Sequence, residues 1–169
     1  MVFAVKSSIK SDNSVLKKLK ESLDYFSKNV ARVGVLNADE QTLRKAIINH
    51  EGGKDVYDRG PFKGEAVDVP PRPFVEAPAK NKGLDILTNA LKEFYKNIDL
   101  STAVSVLDEA GNDLALEQEK ALDTNGEGIA GWQKWQDYRT IITKGHNKPL
   151  HTWCMATFPI DYEITRRSA

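Results

Sequence analysis

The segment Val69-Pro70-Pro71-Arg72-Pro73-Phe74-Val75 constrains the fold of this chain most strongly. Its prolines fix the backbone φ angle and lack amide donors, so the segment forms neither a helix nor a central strand. A stiff extended rod carrying one arginine and one phenylalanine presents both side chains at low entropic cost, which suits a protein–protein contact. The alternative is a rigid connector between two helices, with Phe74 placed in the core.

The composition predicts a single soluble globular domain spanning residues 1–169. Of the 169 residues, 40% are hydrophobic and 28% are charged, which is sufficient for a hydrophobic core. Lys+Arg and Asp+Glu balance at 24 each, so no overall field concentrates nucleic acid or anionic lipid. The single cysteine, Cys154, excludes an internal disulfide and a cysteine-rich metal site. With no apolar run suited to secretion or membrane insertion, we expect a protein made in the cytoplasm.

The hydrophobic pattern predicts an α+β fold, in which amphipathic helices pack on a small antiparallel β-sheet. In the first half we expect a strand at 3–9, a helix from Asn13 or Ser14, a strand at 31–36 and a helix stopped by Gly52-Gly53. The first helix has an apolar stripe formed by Val15, Leu16, Leu19, Leu23 and Phe26. Asn37, followed by Glu40 three residues later, resembles a capping box for the second helix.

Residues 53–73 form the first of two predicted long loops. They contain glycines, prolines and both signs of charge, with Tyr57 and Phe62 as isolated large apolar side chains. A loop of this length is unusual inside a domain. It is therefore a mobile arm, an interaction loop, or a hairpin in which residues 66–69 form one strand.

Two helices are predicted to follow the proline-rich segment. The first spans about 82–97, with an apolar stripe formed by Leu84, Leu87, Leu91 and Phe94. The second begins after Asp99 or Ser101 and ends near Asp123; its stripe, interrupted by Gln118, consists of Ala103, Leu107, Ala110, Leu114 and Ala121. Small residues on that stripe permit close helix packing, either within the subunit, which we favour, or against a neighbour.

Residues 125–150 form the second predicted long loop. Trp132, Trp135 and Tyr138 are interleaved there with Lys134, Arg139, Lys144 and Lys148. Such residues can stack on bases and bind phosphates, or they can anchor a protein interface. The zero net charge favours the interface. Residues 160–164 then alternate as a closing strand, and 165–169 are expected to fray.

The sequence gives little support for catalysis, and we expect neither a metal nor a cofactor. His50-Glu51 resembles the start of a zinc-protease motif, but Lys54 stands where the second histidine is required. The other histidines, His146 and His151, are distant in sequence and do not show metal-ligand spacing. No serine lies in a nucleophile elbow.

Four motifs in order resemble those of the virion-morphogenesis, or tail-completion, proteins of tailed bacteriophages. They are Ala31-Arg32-Val33-Gly34-Val35-Leu36, His50-Glu51-Gly52-Gly53, Pro70-Pro71-Arg72-Pro73-Phe74, and a stretch running from Thr140 through Lys144-Gly145 to Lys148-Pro149-Leu150. The resemblance covers nearly the whole chain. It implies a structural protein at the neck or head-proximal end of the tail, commonly assembled as a ring, for example a hexamer.

The resemblance also implies which residues meet other proteins. Pro70, Arg72, Pro73 and Phe74 would belong to an extended interface loop, and His50, Glu51 and Gly52 would hold its base. Lys144, Gly145, Lys148, Pro149 and Leu150 would form a second arm. The expected partners are identical subunits, a tail terminator or tail-tube protein and head–tail connector proteins, with DNA at most passing through the ring and no membrane. The alternatives are a connector subunit beside the portal or a small nucleic-acid-binding protein.

One stretch departs from the family pattern. After Lys-Pro-Leu the family usually continues with Asp-Thr-Gly, whereas this chain has Thr152-Trp153-Cys154-Met155 before Ile160. Reading Trp-Cys-Met one base later restores a glycine, so a pair of compensating frameshifts is one explanation. Genuine divergence is the other, and no function is assigned to residues 152–159.

Overall fold

The computed structural model describes residues 13–133, 136–145, 151–152, 155–156 and 158–167. The helices are α1 (Asn13–Lys28), α2 (Glu40–Glu51), α3 (Glu76–Lys96), α4 (Leu100–Asp123) and α5 (Tyr138–Lys144). The strands are β1 (Asn29–Gly34), β2 (Gly53–Val56), β3 (Ala66–Val69), β4 (His151–Thr152), β5 (Met155–Ala156) and β6 (Asp161–Arg166). The strand predicted at 3–9 lies outside the described residues.

The predicted α+β class is confirmed, and the described strands form three antiparallel pairs: β1 with β6, β2 with β3, and β4 with β5. In the longest pair, Val33 lies opposite Tyr162 and Asn29 opposite Arg166. The prediction that the chain frays from residue 165 is therefore wrong for Thr165 and Arg166. Their backbones pair with β1, and the amide of Arg167 donates to the carbonyl of Lys28 at 2.8 Å.

Helix α4 is the central element of the packing. It contacts α3 along its length and also packs against α1, β1 and β6. Close approach to the β1–β6 pair depends on Gly111, where a Cβ would lie 2.7 Å from the Tyr162 ring and 3.3 Å from the Cβ of Ala31. The predicted helical pair is thus confirmed within the subunit.

Two predicted helix starts require correction. Asp39, rather than Asn37, caps α2: its carboxylate accepts from the amide of Thr42 at 2.9 Å, while Asn37 has a positive φ of 53°. Helix α3 begins at Glu76, six residues before the predicted start. Pro78 does not prevent this earlier start, because it lies in the first turn of the helix, where a backbone amide would have no helical partner. The stop at Gly52 is confirmed, since its amide donates to the carbonyl of Ile48.

Both predicted loops contain regular structure. Residues 53–73 include the β2–β3 hairpin, in which Lys54 lies opposite Asp68, so the hairpin alternative is confirmed. Residues 125–150, predicted to be irregular, contain α5, which Asp137 caps through the amide of Arg139. Helix α5 ends at Lys144 and is capped by Gly145, whose left-handed conformation (φ 78°) is typical of a helix C-terminus.

The buried sides of the helices differ from the predicted stripes. In α1, Ser22 is buried while Leu16 and Leu23 are exposed. In α4, Gln118, predicted to interrupt the stripe, is fully buried. Within the described residues, the core has one cluster around Phe74, Leu122 and Phe158, and a second around Phe94, Ala103 and Val106.

Candidate protein interface

The proline-rich segment lies against the C-terminal end of α2 and is an internal brace. The ring of His50 meets the ring of Phe74 edge-on, with centroids 5.4 Å apart. Gly52 has a φ of 81°, and a Cβ there would lie 3.0 Å from the Cδ of Pro71. The motif from His50 to Gly52 and the rod are therefore brought together, and only glycine fits at their closest approach.

Phe74 and Arg72 are not presented on the surface, so the expectation that the rod displays them for a partner is wrong in this structure. Phe74 is 1% exposed, and its ring stacks on Phe158 with centroids 5.5 Å apart. The connector alternative, with Phe74 in the core, is confirmed. Arg72 is 3% exposed and donates from Nε to the carbonyl of Gln133 at 3.1 Å and from Nη1 to Asn49 Oδ1 at 3.2 Å.

The remaining rod residues also have intramolecular roles. Pro73 is partly buried, and its carbonyl accepts from the amide of Ala77 at 3.0 Å in the entry to α3. The carbonyl of Pro70 lies 3.5 Å from Arg72 Nη1. The amide of Arg72 donates to the carbonyl of Asn49 at 2.9 Å, so backbone and side chain both fasten the rod to α2.

A cavity of about 200 Å³ lies between α2, the β2–β3 hairpin and α5. Arg72 and Lys144 both line it. Burial lowers the pKa of Arg72 to about 10. Burial, and then the charge of Arg72, lower the pKa of Lys144 to about 8. Carboxylates of Asp58 and Asp137 also line the cavity and pair with Lys45 and Arg139 respectively. The cavity walls therefore carry both positive and negative side chains. This mixture of charges does not favour one class of ligand over another.

Arg139, which the sequence marked only as one of several loop cations, fastens the hairpin to α5. Its guanidinium donates to Glu65 at 2.8 Å, to the carbonyl of Ala66 at 3.3 Å and to Asp137 at 2.9 Å. These bonds, chiefly that to Asp137 and then that to Glu65, raise the pKa of Arg139. In the sequence, this role could have been recognised from Asp137, because aspartate is a common helix-capping residue and lies two positions before the arginine.

Trp132 is buried and is another correction to the predicted interface. Its ring packs on Gly126, where a Cβ would overlap it, and its Nε1 donates to Asn125 Oδ1 at 3.2 Å. A ring held in this way offers no face for base stacking. Trp135, Lys148 and Pro149 lie outside the described residues.

Helix α3 carries an exposed apolar surface that includes three leucines of its predicted stripe, whereas the fourth stripe residue, Phe94, is buried. Leu84, Leu87, Leu91 and Tyr95 are 76%, 57%, 49% and 69% exposed, respectively. Their spacing of three, four and four residues places them along one side of the helix. We refer to these four residues as the α3 stripe.

Helix α4 presents a different surface to solvent. It contains six acidic residues and one lysine, whereas α3 contains three acidic residues and four lysines. Glu109, Asp113 and Leu116 are exposed and, at positions i, i+4 and i+7, share one side of α4. We refer to these three residues as the α4 acidic face. Although the chain has zero net charge, α4 is therefore net negative and the adjacent α3 is net positive.

Comparison with known proteins found no match among protein-family models, curated proteins or solved structures. Among the helices of the described residues, none has the length and apolarity needed to cross a membrane. Within the same residues, no group of three or more histidine, cysteine, aspartate and glutamate side chains is arranged to hold a metal ion.

Proposed function

We propose that this protein is a non-enzymatic structural component of a tailed-phage virion. It completes the head-proximal end of the tail and contributes to the neck as a ring of identical subunits. Its partners are the tail terminator or tail-tube protein on one side and the head–tail connector proteins on the other. Synthesis takes place in the host cytoplasm, and DNA meets the ring only in passing through it.

The α3 stripe is the observation that carries this proposal. Monomeric soluble proteins rarely leave several adjacent large apolar side chains in water, and such surfaces are typical of binding sites. Fully burying one leucine side chain contributes about 1.5–3 kcal/mol. Three leucines and a tyrosine therefore provide a strong driving force for association.

The sequence motifs supply the virion context, while the structure changes where the contacts are sought. Because Arg72 and Phe74 are occupied inside the subunit, the proline-rich motif supports the proposal as a brace between α2 and α3. A rigid brace fixes the direction in which α3 leaves the core. Subunits with a fixed α3 present the same apolar surface in every copy, as a closed ring requires.

The test is the mass of the purified protein in solution, measured by sedimentation velocity over a wide concentration range. The measurement is made on the protein alone and after mixing with tail-tube, terminator, portal or adaptor proteins from the same source. We expect a ring, or a monomer that joins a ring when a tail protein is added. Binding only to the portal or adaptor would indicate a connector subunit instead.

A pair of variants links the result to the α3 stripe. The stripe variant, Leu84→Gln with Leu87→Gln, keeps good helix formers and removes apolar surface. The matched control is Leu43→Gln, which changes an exposed leucine on α2. We expect the stripe variant to lose assembly and the control to retain it. Equal assembly by both variants, or none by the wild type with any virion protein, contradicts the proposal.

A further inference from the structure

We propose that the α3 stripe of one copy docks on the α4 acidic face of a second copy, so that subunits associate head to tail. This inference rests on the proposed self-assembly and identifies the two surfaces that meet. It follows from the distribution of charge around the apolar side chains. The occupant of the stripe is thus a second copy of this chain.

The edge of the α3 stripe is cationic. Lys80 lies four residues before Leu84 and Lys92 three residues before Tyr95, so both lysines occupy the helical turn next to a stripe residue. Both lysines are exposed. Lys80 also pairs with Glu76 on the same helix, but an exposed pair of this kind is weak and is readily exchanged for another carboxylate.

The α4 acidic face has the complementary arrangement. Leu116 is 53% exposed and lies on the same side of α4 as the carboxylates of Glu109 and Asp113. Lys120, four residues after Leu116, bounds this face at its C-terminal end and is paired with Glu117 at 3.8 Å. A leucine with acidic neighbours matches a leucine stripe with lysines at its edge, because apolar contact and charge pairing form together. Glu109 accepts from the hydroxyl of Ser105 at 3.0 Å on the same helix, which leaves its second oxygen for a lysine.

Charge also argues against pairing of the α3 stripe with itself. In a two-fold dimer, Lys80 and Lys92 of both copies would line the same seam. Like charges at an interface disfavour that arrangement and direct the stripe towards an acidic surface. Because the stripe and the acidic face are different surfaces, their contact is heterologous and closes into a ring when the rotation between subunits permits.

The test uses two variants that each destroy one half of the contact. The stripe variant, Leu84→Gln with Leu87→Gln, keeps an intact acidic face. The face variant, Glu109→Lys with Asp113→Lys, keeps an intact stripe. Each variant is examined by sedimentation velocity alone and after mixing one to one, and circular dichroism and thermal melting establish that both are folded.

The head-to-tail contact predicts a specific result on mixing. Alone, each variant has its Kd for self-association raised by about tenfold or more, because every contact contains one damaged surface. Mixed, they form a one-to-one heterodimer that grows no further, since only the intact stripe of the face variant and the intact face of the stripe variant can pair. Wild-type protein under the same conditions continues to larger assemblies.

Three outcomes would overturn the inference, and they separate it from the proposed function. If the wild type assembles and the face variant assembles equally well, the α4 acidic face is not the acceptor, while self-assembly stands. A wild-type dimer that stops growing and persists in the face variant indicates that the stripe pairs with itself. A wild type that stays monomeric, with a stripe variant that melts at a lower temperature, shows the stripe to be covered within its own chain and contradicts self-assembly as well.

Discussion

Truncation of Phe74 distinguishes a brace inside the subunit from a side chain offered to a partner. The ring is 1% exposed, stacks on Phe158 and meets His50 edge-on. Phe→Ala changes in protein cores cost about 3–5 kcal/mol, and an aromatic pair contributes about 0.5–1.5 kcal/mol of its own. We therefore expect Phe74→Ala to lower the free energy of unfolding by about 4 kcal/mol, a large share of the roughly 5–15 kcal/mol typical of a domain.

A graded series keeps the measurement within range if Phe74→Ala fails to fold. Phe74→Leu retains much of the volume and is expected to cost about 1.5 kcal/mol. The matched control is Leu91→Ala in the α3 stripe, which is 49% exposed and is expected to change stability by about 0.5 kcal/mol or less. Equilibrium unfolding in urea measures all three variants at a concentration where the protein is monomeric.

Assembly provides the second measurement in the same series. The folded fraction of Phe74→Leu is expected to assemble like the wild type, whereas Leu91→Ala is expected to assemble less well without loss of stability. An unchanged urea midpoint of unfolding for Phe74→Ala, together with loss of its assembly, would refute the placement of Phe74 in the core. That result would place the aromatic side chain of Phe74 at an interface between proteins, as the resemblance to the phage family implies.

Three further predictions concern the hairpin and its surroundings. Gly52→Ala is expected to lower the free energy of unfolding in urea by roughly 2–3 kcal/mol, because position 52 combines a positive φ with a close contact to Pro71. The matched control is Gly64→Ala, where φ is 90° but no atom lies within 4 Å, and it is expected to cost only about 1 kcal/mol. Equal losses would show that the contact with Pro71 contributes nothing to the cost at position 52. Arg139→Lys is expected to speed hydrogen exchange of hairpin amides 53–69 several-fold with little change in melting temperature, because lysine cannot make both guanidinium bonds to Glu65 and Ala66. Unchanged exchange would show that these bonds do not hold the hairpin. Burial lowers the pKa of Lys144 from 10.5 to about 8, so below pH 8 this side chain is charged in both the folded and unfolded states. Between about pH 8 and 10.5 only the unfolded state stays protonated, so the free energy of unfolding should rise by about 1–2 kcal/mol after solvent screening. Lys144→Met should flatten this rise, and an unchanged slope would show that other groups cause the rise.

Elements with strong local signals could be located from the sequence. Asp99 caps α4 and Gly52 ends α2 at the predicted positions, because capping and positive φ depend on a few adjacent residues. The sequence leaves the hairpin as one of three alternatives, since its strands are only four residues long and the connection between them, residues 57–65, is too long for a recognisable tight turn. Helix α5, of seven residues, was too short for a hydrophobic period to emerge.

The side chains chosen for the interface show a different limit. A proline-rich segment has the same backbone restriction whether it lies on the surface or in the core, so the sequence alone left the position of Phe74 open. Periodicity identified the apolar side of α3 but not its partner, and Leu84 and Leu87 are exposed although the pattern is typical of a buried stripe. Buried Gln118 was misjudged because a glutamine that bonds to the carbonyl of Val75 satisfies one end of its amide inside the core.

The pairing of β1 with β6 has a consequence for the timing of folding during synthesis. Arg32 bonds to Glu163, 131 positions later, so the pairing of β1 with β6 cannot form until nearly all of the intervening chain has been translated. At roughly 5–20 residues per second, that interval lasts about 7–26 s. Helices α3 and α4 are adjacent in sequence and can pair well before then. A nascent chain would thus carry a formed helical hairpin while the edge of β1 that pairs with β6 is still open, and that edge is a site where chaperones could protect the chain.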